Sequence, residues 1–300
     1  MEWYMRASIN KGFQFLLIAL FGALIAFAAA HYSNSNGASR PAQESVYARV
    51  IRTGVLRCGY FSEAPFTIID PNTGKKSGIA VEIAEKIADE LGVKLEWVSA
   101  ENFGELTEDL RNGRYDAICA STYNLPRGGR IDYTVPYAYV PVFAYTQAGR
   151  SEFDNKLDQI DWSQVTIGGR DGEGATTTAQ KRTPQAKFVV LPQTASIPDM
   201  LEMVVTKKAD MTFVTPAVYS DFAKTNPNAL QKIAGRPFHV FNVSFGLKPD
   251  EAGFKNILDL QMRNMASDGY LDELFRKYDP TGLLFRPAAL YRVADDAKAR

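Results

Sequence analysis

Two arginines lie near the end of a predicted strand, where they could bind an anionic group. Residues 117–120 form a short apolar run, which favours a strand buried on both faces of a parallel sheet. Ser121 and Thr122 stand where that strand ends. Arg127 and Arg130 follow a few residues later, around a Gly-Gly pair. Arginine can hold a carboxylate with two parallel N–H···O bonds, and ligands of open α/β sheets bind beyond the carboxyl ends of strands. The segment therefore predicts a carboxylate receptor, and a surface turn with solvated arginines is the alternative interpretation.

Length and charge narrow the possible functions. The chain has 300 residues with 34 basic and 34 acidic side chains, so no overall field attracts nucleic acid and we expect no such partner. The hydrophobic fraction of 46% is ordinary for a globular chain, and the length suits one large or two small domains. His31 and His239 are the two histidines, so we expect no histidine-based metal site, no Ser-His-Asp triad and no cofactor.

The first 45 residues are predicted to serve export and are excluded from the fold. Residues 1–30 combine the basic Arg6 and Lys11 with a long apolar run and a small-residue ending, which predicts a signal peptide cleaved after Ala30. An uncleaved membrane anchor is the alternative, because about 18 apolar residues are just enough to span a bilayer. Residues 31–45 are rich in Ser, Asn, Ala and Gly, which predicts a polar linker.

The chain contains two cysteines, Cys58 and Cys119, each late in a predicted strand. The compartment outside the inner membrane permits a disulfide between them. Side-by-side parallel strands rarely offer the geometry that a disulfide needs. We therefore expect two buried free thiols, with the disulfide as the alternative.

The elements that must position these residues alternate strands with helices. Residues 55–60 and 93–98 are predicted strands, and the Ile and Ala residues of 79–91 recur at helical spacing before a glycine. A second predicted helix, 103–111, precedes the strand at 117–120. Residues 67–70 are a further short predicted strand before the first helix, so the order is β-(β)-α-β-α-β, which predicts a parallel, doubly wound α/β sheet.

A second α/β set follows residues 131–145, a proline-interrupted segment interpreted as an edge strand and a crossing connection. Its predicted elements are strand 165–168, helix 175–182, strand 187–191, helix 196–208 capped by Ser196, strand 211–214 and a helix beginning at Thr215-Pro216. The glycine-rich turn before residue 175 places a helix N-terminus where it can face an anion. A strand at 240–247 and helices at 251–266 and 268–277 complete the fold.

Several stretches carry a resemblance by their order and spacing. They are Val55-Leu-Arg-Cys-Gly, Ala64-Pro-Phe, Gly78-Ile-Ala-Val-Glu-Ile-Ala, Leu91-Gly-Val-Lys-Leu-Glu-Trp-Val, Leu110-Arg-Asn-Gly-Arg-Tyr-Asp-Ala, Ile131-Asp-Tyr-Thr-Val-Pro-Tyr, Phe245-Gly-Leu and Asp268-Gly-Tyr-Leu-Asp-Glu-Leu-Phe. Together they resemble the periplasmic amino-acid-binding proteins of ABC importers, family 3 of the extracellular solute-binding proteins, over about residues 50–280. The resemblance implies the type II periplasmic binding protein fold, in which two doubly wound α/β lobes are joined by two hinge crossings. It implies that lobe 1 comprises 46–142 plus 244–300 and that lobe 2 comprises 143–243.

The function implied by the resemblance is binding rather than catalysis. A monomer in the periplasm would capture a small carboxylate-bearing solute, an amino acid or a relative, by hinge closure. It would then deliver the solute to an ABC permease in the inner membrane. A periplasmic enzyme of the dehydratase type on the same scaffold and a sensory or accessory binding protein are the alternatives.

The resemblance also implies roles for residues after the strand. The family's carboxylate-binding arginine falls at or near Arg127. The spacing from Asp116 is one residue shorter than the family's, so Arg130 is a rival for that role. Ser121 and Thr122 correspond to the hydroxyl and N–H contacts to the same carboxylate.

The remaining site residues include two departures from the family. Phe66 and Tyr60 correspond to the aromatic wall over the ligand. Thr215 stands where an acidic residue commonly holds the ligand's ammonium group, and we interpret it as a helix N-cap. Glu173 interrupts the usual Gly-Thr-Thr turn, and we interpret it as a solvated first-turn acid favoured by the helix dipole. Its alternatives are a contact to the ammonium group and a general acid. An α-amino acid is therefore not the only ligand class that the sequence allows.

Overall fold

The computed structural model describes residues 21–29, 44–99, 106–122 and 130–288. The described residues before Val46 and those from Val46 onwards belong to separate compact units. The first unit is helical at 21–29, with exposed apolar side chains. Among the helices that the structure describes, none is both long and apolar enough to cross a membrane.

The second unit alternates strands and helices, as predicted. Its elements are α1 (Val46–Thr53), β1 (Val55–Tyr60), β2 (Ile68–Ile69), β3 (Lys76–Ser77), α2 (Ile79–Leu91), β4 (Lys94–Ser99), α3 (Leu106–Arg111), β5 (Ala117–Thr122), β6 (Asp132–Tyr133), β7 (Ala138–Gln147), β8 (Thr166–Arg170), α4 (Gly174–Arg182), β9 (Lys187–Leu191), α5 (Pro198–Val205), β10 (Met211–Val214), α6 (Pro216–Thr225), β11 (Leu230–Lys232), β12 (His239–Leu247), α7 (Ala252–Ser267) and α8 (Tyr270–Tyr278). A 3-10 turn, Trp162–Gln164, precedes β8. The predicted residues 103–105 of α3 lie outside the described ranges.

Ten of the twelve described strands form one sheet with two parallel sets, and β2 and β3 form a separate two-stranded sheet. The order along the sheet is β4-β1-β5-β12-β7-β10-β8-β9. Strands β4, β1 and β5 are parallel, and so are β10, β8 and β9. Strands β12 and β7 cross between the two sets and run antiparallel to their neighbours. The prediction of two doubly wound sets joined by two crossings is therefore confirmed.

Both crossing strands change partners near the middle of the sheet. Strand β7 pairs with β12 up to Val142 and with β10 from Phe143. Strand β12 pairs with β7 as far as Val243, and from that residue onwards with β5. The predicted lobe boundaries coincide with these changes of partner, although the boundaries themselves stay a prediction.

Residues 131–145 contain the short strand β6, which pairs with β12 off the main order of the sheet, and then most of the crossing strand β7, in agreement with the interpretation as an edge strand followed by a crossing connection. Strand β7 lies in the interior of the sheet and contains Pro141, which is in register with Val240 of β12. Proline cannot donate a ladder hydrogen bond. Strand β10 begins to pair with β7 only at Phe143, so Pro141 lies where β7 has β12 as its paired strand. The local change of partner therefore explains how a proline fits an interior strand.

Regular apolar spacing builds the core beside the sheet. Ile79, Ile83 and Ile87 recur every four residues along α2 and are fully buried in the first half of the fold. Gly92 ends this helix with a left-handed φ of 67°. In the second half, Met200 of α5 is equally buried in a separate cluster. Each half therefore has its own core.

Cys58 and Cys119 form a disulfide with their Cα atoms 5.6 Å apart, so the expectation of two free thiols is wrong. Cys58 is in register with Ala117, two residues before Cys119 on β5. Side chains alternate along a strand, so Ala117 and Cys119 lie on the same face. The bond therefore joins the two strands diagonally rather than between directly opposite residues.

Three short elements, α1, β3 and β11, were not predicted, and α5 is shorter than the predicted helix 196–208. Ser196 does not cap α5 with its side chain. Its N–H donates instead to the carboxylate of Asp199 at 2.7 Å, and the helix begins at Pro198. Proline suits this position because the first helical N–H has no partner within the helix.

Candidate functional site

Strand β12 brings the ends of the two parallel sets together. Thr122, the last residue of β5, is in register with Val243. Gly174 begins α4 after a three-residue turn that follows β8, and a Cβ placed on it would lie 3.1 Å from the ring of Phe241. Phe241 and Val243 are two residues apart on β12, so β5 ends and α4 begins beside the same short segment. Ligands of α/β sheets bind beyond such strand ends, so this is the candidate site.

The predicted carboxylate contacts lie partly within the described residues. Ser121 and Thr122 end β5, and their backbone pairs with Ser244 and Val243 of β12, which places them at the candidate site. Arg127 lies outside the described residues. Arg130 is exposed in the turn before β6. The choice between the two arginines as carboxylate anchor stays a prediction.

The two aromatic residues of the predicted wall occupy different surroundings. Tyr60 ends β1 and packs edge-on against Trp97, with ring centroids 5.6 Å apart. The ammonium group of Lys76 lies 4.8 Å from the Tyr60 ring centroid. Phe66 is 3% exposed and packs edge-on against Tyr137 within the core of the first half. Contact of either ring with a ligand stays a prediction.

Glu173 is the N-cap of α4. Its carboxylate accepts a hydrogen bond from the N–H of Thr176 at 2.9 Å. The side chain is half-buried, so the interpretation of a solvated acid is wrong. Burial raises the pKa of Glu173, although N–H groups of the cap and the charge of Arg170 act in the opposite direction. A carboxyl group that holds its proton more tightly than usual can serve as a hydrogen-bond donor or an acid.

Thr215 is the N-cap of α6, as predicted. Its hydroxyl oxygen accepts a hydrogen bond from the N–H of Val218 at 3.5 Å, and Pro216 occupies the first turn. Strand β10 is parallel to β8, with Thr212 in register with Gly168. If that register is continued, Thr215 lies just beyond the end of β8. Its hydroxyl group stands at the position where the resemblance implied an acidic side chain.

Arg170, the last residue of β8, is a site candidate that sequence reasoning missed. Its Nη1 donates to the carbonyl oxygen of Ala195 at 3.0 Å, and its backbone N–H donates to the hydroxyl of Thr176 at 3.0 Å. The side chain is half-buried, and Nε is buried without a hydrogen-bond partner in the described part of the chain. An arginine between an apolar strand and a glycine-rich turn was the available signal.

A histidine lies on the same crossing strand as the candidate site. His239 stacks edge-on against Phe241, with ring centroids 4.6 Å apart. Burial, and then the nearby charge of Arg182, lower the pKa of His239. Within the described ranges, no group of three or more His, Cys, Asp or Glu side chains is arranged to hold a metal ion.

A charged groove lies between two helices of the first half and is lined by residues other than the β12 segment that defines the candidate site. It has a volume of about 520 Å³ between α2 and α8 and is lined by both lysines and acidic side chains. Glu82 joins its walls by accepting hydrogen bonds from Lys277 and Tyr278. Lys86 pairs with Glu90 and Lys277 pairs with Glu82 within the groove, so its size alone does not make it the candidate site.

Family comparison agrees with this fold. The model of the bacterial extracellular solute-binding proteins, family 3, matches residues 56–281, and the chain belongs to that family. The chain is similar to the cyclohexadienyl dehydratase of Pseudomonas aeruginosa, with 27% identity over 240 residues that cover 78% of this chain and 86% of the relative. It is also similar to the L-cystine-binding protein TcyA of Bacillus subtilis, with 21% identity over 266 residues that cover 87% and 96% of the two chains.

Solved structures support the same fold. The ancestral amino acid-binding protein AncCDT-1, a precursor of cyclohexadienyl dehydratase, matches with a TM-score of 0.60 and 21% identity, covering 78% of this chain and 99% of that one. The binding component of an ABC transporter from Wolinella succinogenes, complexed with lysine, matches with a TM-score of 0.61 and 22% identity, covering 75% and 95%. The chain therefore has the type II periplasmic binding protein fold. Its relatives include binding proteins and enzymes, so membership alone does not decide between binding and catalysis.

Proposed function

We propose that this chain is an exported solute-binding protein that captures a small carboxylate-bearing solute and delivers it to an ABC permease. The observation that carries the proposal is the meeting of the β5 end and the α4 start beside residues Phe241 and Val243 of β12. Two lobes that meet at crossing strands can bend there and enclose a solute. Family membership supports the binding role.

The proposed chemistry of capture is a carboxylate held by hydrogen-bond donors at the end of β5. Arg127 is the principal anchor, with Arg130 as its rival. The hydroxyl and N–H groups of Ser121 and Thr122 supplement it. Closure removes the carboxylate from water, so each of its oxygens needs a donor in the protein. A planar guanidinium supplies two donors at once.

The proposed setting is the periplasm, with cleavage after Ala30. The disulfide between Cys58 and Cys119 supports export, because disulfides persist in oxidising compartments. N-terminal sequencing of the protein recovered from the periplasm tests this setting. An N-terminus at His31 is expected, and a membrane-bound chain that retains its first residues would contradict it.

Calorimetry on the exported chain tests the binding proposal. We would titrate amino acids and small organic acids into the wild type and into Arg127→Ala and Arg130→Ala. Loss of a desolvated charge partner is expected to weaken binding by about 2 kcal/mol or more in Arg127→Ala. The same loss in Arg130→Ala alone would transfer the anchor role to Arg130. Full affinity in both variants, or no ligand in the panel, would contradict the proposal.

Glu173 favours a second candidate function, a dehydratase-type reaction. We propose it because this half-buried acid with a raised pKa lies at the candidate site, and a similar relative is a cyclohexadienyl dehydratase. Glu173 would give its proton to the hydroxyl group, so that the C–O bond breaks and water leaves, while the adjacent C–H bond supplies the electrons of the new C=C bond and its proton passes to solvent water. Each compound that binds would be incubated with the protein and analysed by mass spectrometry for loss of water. Loss of water with the wild type but not with Glu173→Gln supports catalysis, whereas an unchanged compound supports binding alone.

A further inference from the structure

Arg170 differs from the other half-buried arginines in the described part of the chain. Each of the others has a carboxylate partner. These pairs are Arg49 with Asp116, Arg57 with Asp116, and Arg150 with Asp210. Arg170 has no carboxylate within ion-pair distance among the described residues, and its side-chain hydrogen bond goes to the neutral carbonyl of Ala195. A partly desolvated cation is therefore left without an ion-pair partner among the described residues.

Glu173 makes no ion pair with Arg170, although the charge of Arg170 acts to lower the pKa of Glu173. Its carboxylate is engaged by the N–H of Thr176 at 2.9 Å, as the N-cap of α4. Burial of a charge is unfavourable unless the charge is paired. The guanidinium group has five N–H donors, and the bond from Nη1 to Ala195 uses one of them. Arg170 therefore has donors and charge available for an external anion.

The position of Arg170 points this unpaired charge towards the strand ends. Arg170 shares a sheet face with Gly168, whose Cβ would contact Met203 of α5. Its Nη1 reaches Ala195, just before α5 begins. The register of β8 with β10 sets it beside the end of β10, next to the cap residue Thr215. The second half of the site therefore presents a cation beside a hydroxyl group, where an ammonium-binding acid would be needed for an α-amino acid.

We propose that Arg170 is a second anion anchor and that the solute carries two anionic groups, with dicarboxylates as its chemical class. This inference rests on the proposed function, in which the first half of the fold holds one carboxylate. Closure would then bring one cation from each half onto the two ends of a single solute. The arrangement discriminates against a neutral or cationic far end, because that end would leave the guanidinium unpaired.

Matched pairs of acids test the proposal by calorimetry on the exported chain. The dicarboxylates run from malonate to adipate, and each is compared with the monocarboxylate of the same chain length, propanoate to hexanoate. The wild type is expected to bind at least one dicarboxylate tenfold or more tightly than its monocarboxylate partner. Arg170→Gln is expected to remove this preference, and Arg170→Lys to keep part of it. Arg236→Gln is the matched control, because Arg236 is exposed in the same half and pairs with Asp158.

The outcomes separate this inference from the function on which it rests. If an amino acid or monocarboxylate binds through Arg127 or Arg130 and no dicarboxylate is preferred, the second anchor is wrong and the binding function stands. If nothing in either series or among the amino acids binds, both are wrong. Should Arg170→Gln fail to fold, Arg170→Lys and the wild-type pair differences decide the question. Dicarboxylate preference that persists unchanged in every folded Arg170 variant would also overturn it.

Discussion

Glu173 serves the fold and the candidate site at once. As an N-cap it accepts the N–H of Thr176, which would otherwise lack a partner. As a half-buried acid it loses solvation, and burial raises its pKa. These two effects act on the same carboxyl group in opposite directions, and burial is the larger. The charge state of Glu173 therefore couples the stability of α4 to pH.

Glu173→Gln is expected to raise the melting temperature at pH 7. Glutamine keeps an oxygen acceptor for Thr176 but cannot ionise. Because the folded wild type holds the Glu173 proton more tightly than the unfolded chain does, its stability falls as pH rises from about 4 through the raised pKa. Thermal melts of both proteins across this range are the measurement. The difference should vanish below about pH 4, and a difference independent of pH would contradict the assignment.

Asp116 and Asp210 form a natural comparison of buried and half-exposed acids. Asp116 immediately precedes β5, and Asp210 immediately precedes β10. The carboxylate of Asp116 accepts a hydrogen bond from the N–H of Arg57 at 2.8 Å, and that of Asp210 accepts one from the N–H of Thr166 at 2.8 Å. The Asp116 side chain is 1% exposed and the Asp210 side chain 33% exposed. The same chemical group therefore experiences different desolvation in the two halves.

We expect Asp116→Asn to lower the free energy of unfolding by about 3 kcal/mol, because it leaves two half-buried arginines without their charge partner. Asp210→Asn is the matched control and should lose about 1 kcal/mol. Urea denaturation monitored by circular dichroism measures both. Equal losses in the two variants would show that burial does not set the energy of these pairs.

At the scale of elements, the disulfide links the two strands that lead to the first half of the site. Cys58 lies two residues before Tyr60 on β1, and Cys119 lies two residues before Ser121 on β5. Both cysteines are fully buried beside α2, so packing and the covalent bond act on the same pair of strands. The link therefore limits how far the ends of β1 and β5 can separate.

Replacing both cysteines by serine should reduce the free energy of unfolding by about 4 kcal/mol, because the bond closes a loop of 61 residues in the unfolded chain. Urea denaturation of the wild type with and without a thiol reductant, beside the Cys58→Ser/Cys119→Ser variant, measures the effect. The reductant should lower the wild-type midpoint and leave the variant unchanged. A wild-type midpoint that does not respond to reduction would contradict the prediction.

At the scale of the whole molecule, the crossing strands connect two halves with separate cores. Strand β7 leaves β12 at Val142 and joins β10 at Phe143. Bending at such a point changes few core contacts, because each cluster of buried side chains moves with its own half. The proposed hinge therefore lies at the change of partner, and the proposed lobes are 46–142 plus 244–300 and 143–243.

If the two proposed lobes close around the solute, the protein should be more compact when the solute is bound. Small-angle X-ray scattering of the exported chain, with and without a saturating compound from the calorimetric panel, should show a smaller radius of gyration when the compound is bound. The variant that abolishes binding serves as the control and should show no change. An unchanged radius with the site occupied would argue against hinge bending.

Much of this architecture follows from local pattern. The Ile residues of α2, the Gly92 ending and the Thr215 cap depend on neighbours within one or two helical turns, so the sequence predicts them. The alternation of strands and helices determined the α/β class and the resemblance to the solute-binding proteins. Local spacing also marked Ser121 and Thr122 as residues at a strand end.

Tertiary structure alone decided which groups are paired and which are buried. Cys58 and Cys119 bond across 61 residues of sequence, and Pro141 fits an interior strand because β7 changes partners beside it. The burial of Glu173, and the lack of an ion-pair partner for Arg170 among the residues that the structure describes, likewise depend on residues brought together from separate elements. Periodicity records which face of an element is apolar, whereas desolvation and ion pairing depend on what the fold places against that face.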